Sequence, residues 1–281
     1  MKNMKIYIVT YNRNDCLNKT LDNLFSTDFS NFENTEVNVI NNHSNFFLED
    51  RHKNRVNVIH NMTRPDYSNG NLARDWNTAL INGFKNLNNP DAKYVVTMHN
   101  DCRLHPNWVA NMLEMFGKGY NFLVGEEGDN IICYKPEAVK KIGLWDERIH
   151  GIYHKEGDYM IRALMYNKDK SCINDTMHRR LLNQHDALPL DVGFDSTSDP
   201  GHKQRFHAEG QPAREHSTLL FKLKWQGTHH TAPDISGWLT DWSQDFIDNP
   251  PNTPRIIPSF VYYWFFEKDV ENLREKGYVG F

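Results

Sequence analysis

Three short apolar runs in this chain each break off abruptly into a cluster of polar side chains. Residues 5–10 end in Tyr11, Asn12 and Arg13; residues 36–40 in Asn41, Asn42, His43 and Ser44; residues 93–98 in His99, Asn100 and Asp101. The first run, residues 5–10, is apolar along its length except at its ends, which is what a strand buried on both faces of a sheet looks like. Helical spacing fills the gaps. Leu17, Leu21, Leu24 and Phe25 form one stripe, and residues 69–84 place Leu72, Trp76, Ala79, Leu80 and Phe84 on one face behind a turn containing Gly70. After the third run, Pro106 stands near the first turn of a helix bearing Trp108, Met112, Met115 and Phe116. A further short strand is predicted at residues 55–60. Strands alternating with helices in this way imply an α/β fold with a mostly parallel central sheet flanked by helices. In such sheets ligands bind beyond the carboxyl ends of the strands, which directs attention to the three polar clusters.

Past Phe116 the pattern loosens. One or two strands are expected between residues 122 and 134, a helix at 136–142, and another at about 158–166. Residues 186–214 are rich in Gly, Pro, Asp and His and read as a long loop. Residues 256–266, IIPSFVYYWFF, form a dense aromatic run that reads as packing against the rest of the chain, or as a homodimer or acceptor surface. The expected organisation is a catalytic domain over residues 1–235, split into halves at about 1–116 and 117–235, with an aromatic-rich C-terminal extension over 236–281.

Composition excludes several classes. The 36 acidic and 32 basic residues are interspersed, so no basic stripe suited to a nucleic-acid backbone is present. The four cysteines form no C-x-x-C pair, which argues against a structural zinc site and a disulfide framework and for a reducing compartment. No apolar stretch reaches the roughly 18 residues of a membrane span, and the first apolar run is too short for a signal-peptide core. A cytoplasmic protein without a membrane span is the expectation.

Taken in order, the motifs resemble the GT-A glycosyltransferases of the family-2 kind. IVTYNR is similar to that family's opening strand and loop, VINNHS to its second strand end, and NGNLARDWNTALING to its glycine-containing helix start. YVVTMHNDCRLHPNW resembles its acidic-motif strand, GLWDERIHGIYHKEGDYMIRA its acceptor-side segment, and LKWQG its late Lys-Trp-Gly element. The resemblance runs over roughly residues 5–230 and implies a GT-A, Rossmann-like sheet, a nucleotide-sugar donor and a divalent cation. One departure stands out: the family usually carries Asp-x-Asp or a close variant, and here His99 replaces the first acid. The Asn- and Lys-rich chain also resembles transferases carried by large algal viruses, which decorate capsid glycans; that implies a xylosyl or rhamnosyl donor and the host cytoplasm.

Residue roles follow from these matches and from the chemistry. Cleaving a sugar-diphosphate bond leaves negative charge on departing phosphate oxygens, so a cation belongs where that charge develops. Asp101 is the candidate ligand for Mn2+ or Mg2+, which favour hard oxygen donors and take water and phosphate in the rest of the shell. A turn before the Pro106 helix is its plainer role. His229 or His230, in GTHHTAP, offers a second ligand, with His229 the choice carried forward; an exposed or core pair is the alternative. Thr10, Tyr11 and Arg13, Asn41 and Asn42, Arg74, and Asn100 with Asp101 are the candidate nucleotide-sugar contacts. Against these stand an ordinary solvated loop for Tyr11 and Arg13, an Asx turn for the asparagines, and a helix-surface salt bridge for Arg74. Glu156 is the candidate general base for the acceptor hydroxyl, with Asp158 its alternate, since a carboxylate in a helix's first turn is favoured by the dipole alone. Trp145 and Trp225 are candidate acceptor platforms, although tryptophans more often lie in cores.

The expected activity is therefore inverting, metal-dependent transfer of a sugar, from a UDP-sugar by preference, to a hydroxyl of an oligosaccharide or glycoprotein. A sugar-1-phosphate nucleotidyltransferase is an alternative, but it would want a glycine-rich phosphate loop after the first strand, and YNRND has no glycine. A carbohydrate-binding module descended from a transferase is the non-enzymatic alternative.

Overall fold

The computed structural model describes residues 3–11, 13–61, 72–102, 104, 106–125, 128–149 and 155–166. The expected loop at 186–214, the aromatic run at 256–266, Trp225, His229, and the boundary between catalytic domain and extension all lie outside the described residues.

Six strands, β1 (Asn3–Thr10), β2 (Asn34–Asn41), β3 (Asn57–His60), β4 (Tyr94–His99), β5 (Phe122–Gly125) and β6 (Gly128–Tyr134), form one sheet in the order β3-β2-β1-β4-β6-β5. The pairs β1–β2, β1–β4 and β2–β3 are parallel, while β6 runs antiparallel to both β4 and β5. The helices are α1 (Asn14–Phe25), α2 (Asp50–Lys53), α3 (Leu72–Phe84), α4 (Trp108–Gly117), α5 (Pro136–Ile142) and α6 (Lys155–Tyr166).

Strand periodicity sorts the core into two layers. From β1, Met4, Ile6 and Ile8 face Leu17, Leu21 and Leu24 of α1 and Trp108, Met112 and Met115 of α4. Tyr7 and Val9 face the other way, among Trp76, Ala79, Leu80 and Phe84 of α3 and Val139 and Ile142 of α5. The three α1 leucines are fully buried, and each contributes about 1.5–3 kcal/mol of apolar burial. On the second face the α3 backbone packs directly on β4 at Gly83, where there is no room for a side chain. A Cβ at Gly83 would sit 2.5 Å from Cγ2 of Val95 on β4. That contact fixes the height of α3, whose first turn reaches the carboxyl ends of the strands. No helix among the described residues is long and apolar enough to cross a membrane.

Candidate active site

The register of the parallel strands brings the polar clusters into one row. Thr10 is paired with Asn41, Asn41 with His60, and Val9 with His99, so β3, β2, β1 and β4 end side by side. Each chain then leaves the sheet through the polar residues read from the sequence.

Asp101 sits in the turn that follows β4, and that turn is held from α1. Thr20 Oγ1 lies 2.7 Å from Asn100 O and 3.1 Å from Cys102 O, so one hydroxyl bridges the carbonyls on either side of Asp101. Three residues on, Asn23 accepts from the Leu104 amide through Oδ1 and donates to Leu104 O through Nδ2. The Asn100 side chain turns the other way, donating from Nδ2 to Thr10 Oγ1 at 2.9 Å and to Arg13 O at 3.3 Å. The loops after β1 and β4 are thus one hydrogen-bonded unit with Asp101 at its centre.

Arg13 is oriented by a two-point contact with Asp15, Nε to Oδ1 and Nη2 to Oδ2, each 3.2 Å, and Nη2 also reaches Cys16 Sγ at 3.1 Å. The Asp15 hydrogen bond outweighs burial and, with added attraction from Asp15 and Asp101, holds the guanidinium above its usual pKa. Burial pushes the Cys16 thiol up to about 11, so it stays neutral beside the arginine. A fixed cation and a carboxylate within electrostatic reach of each other suit a ligand carrying both negative oxygens and a counter-ion. Tyr11 is half-buried and meets His43 edge to face at 4.9 Å, joining the first and second strand-end loops.

The two asparagines after β2 behave differently. Asn41 closes its own loop: Oδ1 accepts from the His43 amide at 3.1 Å, and Nδ2 lies 2.8 Å from His43 O and 3.1 Å from His60 Nδ1. Its side chain is spent on the Asx turn. Asn42 instead donates from Nδ2 to Asp75 Oδ2 on α3 at 2.7 Å, and its backbone N–H bonds Thr10 O at 3.1 Å. Asp75 also accepts from Asn61 Nδ2 at 2.9 Å. Neither Asp75 nor Asn61 stands out from sequence. Asp75 falls within the helix stripe segment ARDWN, and only the fold shows that it faces two strand ends.

His99, in the place where the resemblance expects an acid, stacks on Trp76 of α3, with centroids 5.6 Å apart and planes 28° apart. Arg74 lies in the first turn of the same helix, half-buried. A cation in a helix's first turn is opposed by the dipole, so helix stability alone does not account for it.

The acceptor-side candidates lie on α6. Glu156 is 7% exposed and in contact with Lys155 Nζ. Asp158 is fully buried and accepts from Arg162 Nε at 3.1 Å, while Arg162 Nη1 donates to Ile142 O at 2.8 Å. Trp145 corrects the sequence expectation. It is 1% exposed, its face is stacked on Tyr159 at 4.2 Å, and its Nε1 donates to Tyr134 Oη. A ring so covered packs the core and offers no platform for a sugar.

Among the described residues no group of three or more His, Cys, Asp or Glu side chains converges as a metal cage. The donor chemistry still fits a hard divalent ion, because one carboxylate suffices where phosphate oxygens and water supply the rest of the shell.

A half-parallel sheet with its polar strand ends in register, and a carboxylate turn tied to β1 and α1, agree with the GT-A fold expected from the sequence. Residues 5–130 match the model of glycosyl transferase family 2. No curated protein sequence matches the chain. Among solved structures it is similar to the mannosyltransferase PcManGT from Pyrobaculum calidifontis in complex with GDP-Man and Mn2+, at 13% identity and TM-score 0.47, over 99% of this chain and 76% of that one. It is also similar to S. aureus TarS in complex with UDP, at 13% identity and TM-score 0.43, over 60% of this chain and 56% of that one. A Drosophila β-1,4-galactosyltransferase 7 mutant in complex with manganese, UDP-Gal and xylobiose is similar at 10% identity and TM-score 0.39, over 62% of this chain and 63% of that one.

Proposed function

We propose that this chain is an inverting transferase that moves a sugar from a nucleoside diphosphate, UDP by preference, to a hydroxyl of an oligosaccharide or glycoprotein. The observation that carries the reading is the row of strand ends, where Asn100 ties Thr10 and Arg13 to the turn bearing Asp101. A diphosphate needs a place where backbone turns, a fixed cation and a metal-binding carboxylate converge, and that row supplies all three.

Asp101 would hold Mn2+ or Mg2+, with His229 as the second protein ligand in this reading. When bound, the ion neutralises charge that builds on the leaving diphosphate. Arg13 and Arg74 add positive charge to the same oxygens, and Tyr11 offers a ring for the base. Asn42 contacts the nucleoside. Glu156 takes the proton from the acceptor hydroxyl as it attacks the anomeric carbon, a role worth roughly 10²- to 10⁴-fold. One base and one displacement invert that carbon. Trp225 is assigned to acceptor binding in this reading, and a xylosyl or rhamnosyl group is the transferred sugar.

A screen of nucleotide-sugars for manganese-dependent hydrolysis by the full chain tests the reading. One donor should be hydrolysed well above the rest, and Asp101→Ala should abolish that activity while leaving the circular dichroism spectrum intact. Unchanged turnover in the variant would sink the assignment.

A further inference from the structure

Asn42 and Asn61 follow directly on neighbouring strands, and both donate to the same carboxylate. Asn42 Nδ2 is 2.7 Å from Asp75 Oδ2, and Asn61 Nδ2 is 2.9 Å from Asp75 Oδ1. Asp75 is 1% exposed and Asn42 5%. A carboxamide is nearly symmetrical in shape, so an amide without a fixed partner can offer a ligand either its oxygen or its NH2. A carboxylate removes that freedom, because it only accepts. Facing Asp75, the Asn42 amide must point Nδ2 at the carboxylate and Oδ1 away from it. The Asn42 backbone is fixed too, through its N–H to Thr10 O at 3.1 Å.

We propose that Asp75 is a positioning residue for base selection. It holds the Asn42 amide with Oδ1 toward the nucleotide, so the strand-end site prefers a base that presents a ring N–H, as uracil and guanine do, over one that presents a bare ring nitrogen, as cytosine and adenine do. The inference rests on the nucleotide site proposed above. It goes further by assigning the specificity to a residue that touches no ligand. Because the cytosine ring nitrogen and Oδ1 are both acceptors, the mismatch leaves two lone pairs facing each other in a half-closed site.

The geometry also dictates how the device can be rebuilt. With Asp75→Asn alone, the group facing Asn42 can donate as well as accept, so the Asn42 amide is no longer held one way round and can present either its oxygen or its NH2 to the ligand. With Asn42→Asp and Asp75→Asn together, the new amide donates to the new carboxylate at position 42, and its oxygen still accepts from Asn61. An acceptor is again fixed toward the ligand, although the charge has moved to the neighbouring element.

Calorimetric dissociation constants of the full chain with manganese for UDP and CDP, and for GDP and ADP, test this. The unaltered chain should favour UDP over CDP, or GDP over ADP, by at least about tenfold. Asp75→Asn should bring the ratio within about threefold, and the double variant should restore it. If Asp75→Asn fails to fold, Asp75→Ser, whose hydroxyl both donates and accepts, takes its place and should likewise bring the ratio within about threefold. A chain that binds nucleotides without preference, a ratio unchanged by Asp75→Asn, or a folded double variant without preference each overturns the inference and leaves the nucleotide site standing. Failure of the unaltered chain to bind any of the four overturns the site reading and the inference with it.

Discussion

Thr20 on α1 bridges the turn after β4 with one hydroxyl, 2.7 Å from Asn100 O and 3.1 Å from Cys102 O. The carboxylate between those carbonyls is therefore placed by a helix some eighty residues earlier in the chain, not by its own sequence motif. Asn23, one turn further along α1, repeats the arrangement at Leu104. The first helix thus covers one face of the sheet with its leucines and sets the active turn with its polar edge.

Removing that hydroxyl should be felt at both levels. Thr20 is 2% exposed, so Thr20→Val leaves two carbonyls without their donor at an expected cost of about 1–3 kcal/mol in urea unfolding. Nucleotide affinity in manganese should fall with it, and Thr20→Ser, which keeps the oxygen, should recover most of both. A valine variant with unaltered affinity would show that the turn holds its shape unaided.

His99 takes the position of a missing acid, and its stacking on Trp76 gives a physical reason for a ring there. His99→Ala should cost about 0.5–1.5 kcal/mol, the usual worth of an aromatic pair beyond its area. His99→Phe should restore stability, as read in the same unfolding curves. Equal stability of the alanine and phenylalanine variants would show that the stack contributes nothing.

Much of this arrangement is legible in the sequence, and the limits of that legibility are physical. The first four strands and the longer helices between them announce themselves through apolar patterning, down to the strand ends at Thr10 and Asn41. Beyond Phe116 only one or two strands and the helices near 136–142 and 158–166 are expected. The four-residue helix Asp50–Lys53 gives no such signal, because it is too short for a stripe. Side-chain orientation is the harder matter. Asn41 and Asn42 are adjacent and chemically identical, yet one closes a turn and the other reaches α3, because successive side chains leave a strand end in opposite directions. Asp75 reads as an ordinary helix acid until α3 is docked against β2 and β3. Trp145 has the composition of a sugar platform and the surroundings of a core residue, and only the stacked Tyr159 ring separates the two.

The face of α1 that carries the leucines ends near a buried histidine that makes stability depend on pH. His52 stacks on Phe25 at 5.7 Å and lies 3.2 Å from Asp22. Burial lowers its pKa below 6.5, outweighing the attraction of Asp22 and Glu49 and assisted by Arg51 and Arg55. The folded chain therefore binds this proton less tightly than the unfolded chain does. Its contribution is fully present above pH 6.5 and is lost as the pH falls through that value toward the folded pKa. Urea midpoints should decline over that window, and His52→Leu should flatten the decline. A slope identical in the variant would assign the acid sensitivity to other groups.

The choice between the two α6 carboxylates can be made by separating folding from turnover. Asp158 is fully buried with Oδ2 bound to Arg162, which in turn caps Ile142 O at the end of α5. Taking away one partner of such a pair leaves a buried charge and typically costs about 3–5 kcal/mol. Asp158→Asn should therefore lower the unfolding midpoint sharply, as should Arg162→Met, while the folded fraction of either keeps its kcat. Glu156 is paired with the buried Lys155, so Glu156→Gln should lower the unfolding midpoint as well, but it alone should reduce the kcat of the folded fraction, by roughly 10²- to 10⁴-fold. If instead Asp158→Asn folds normally and loses turnover, the proton passes to Asp158, and its pairing with Arg162 is part of the catalytic cycle rather than of the scaffold.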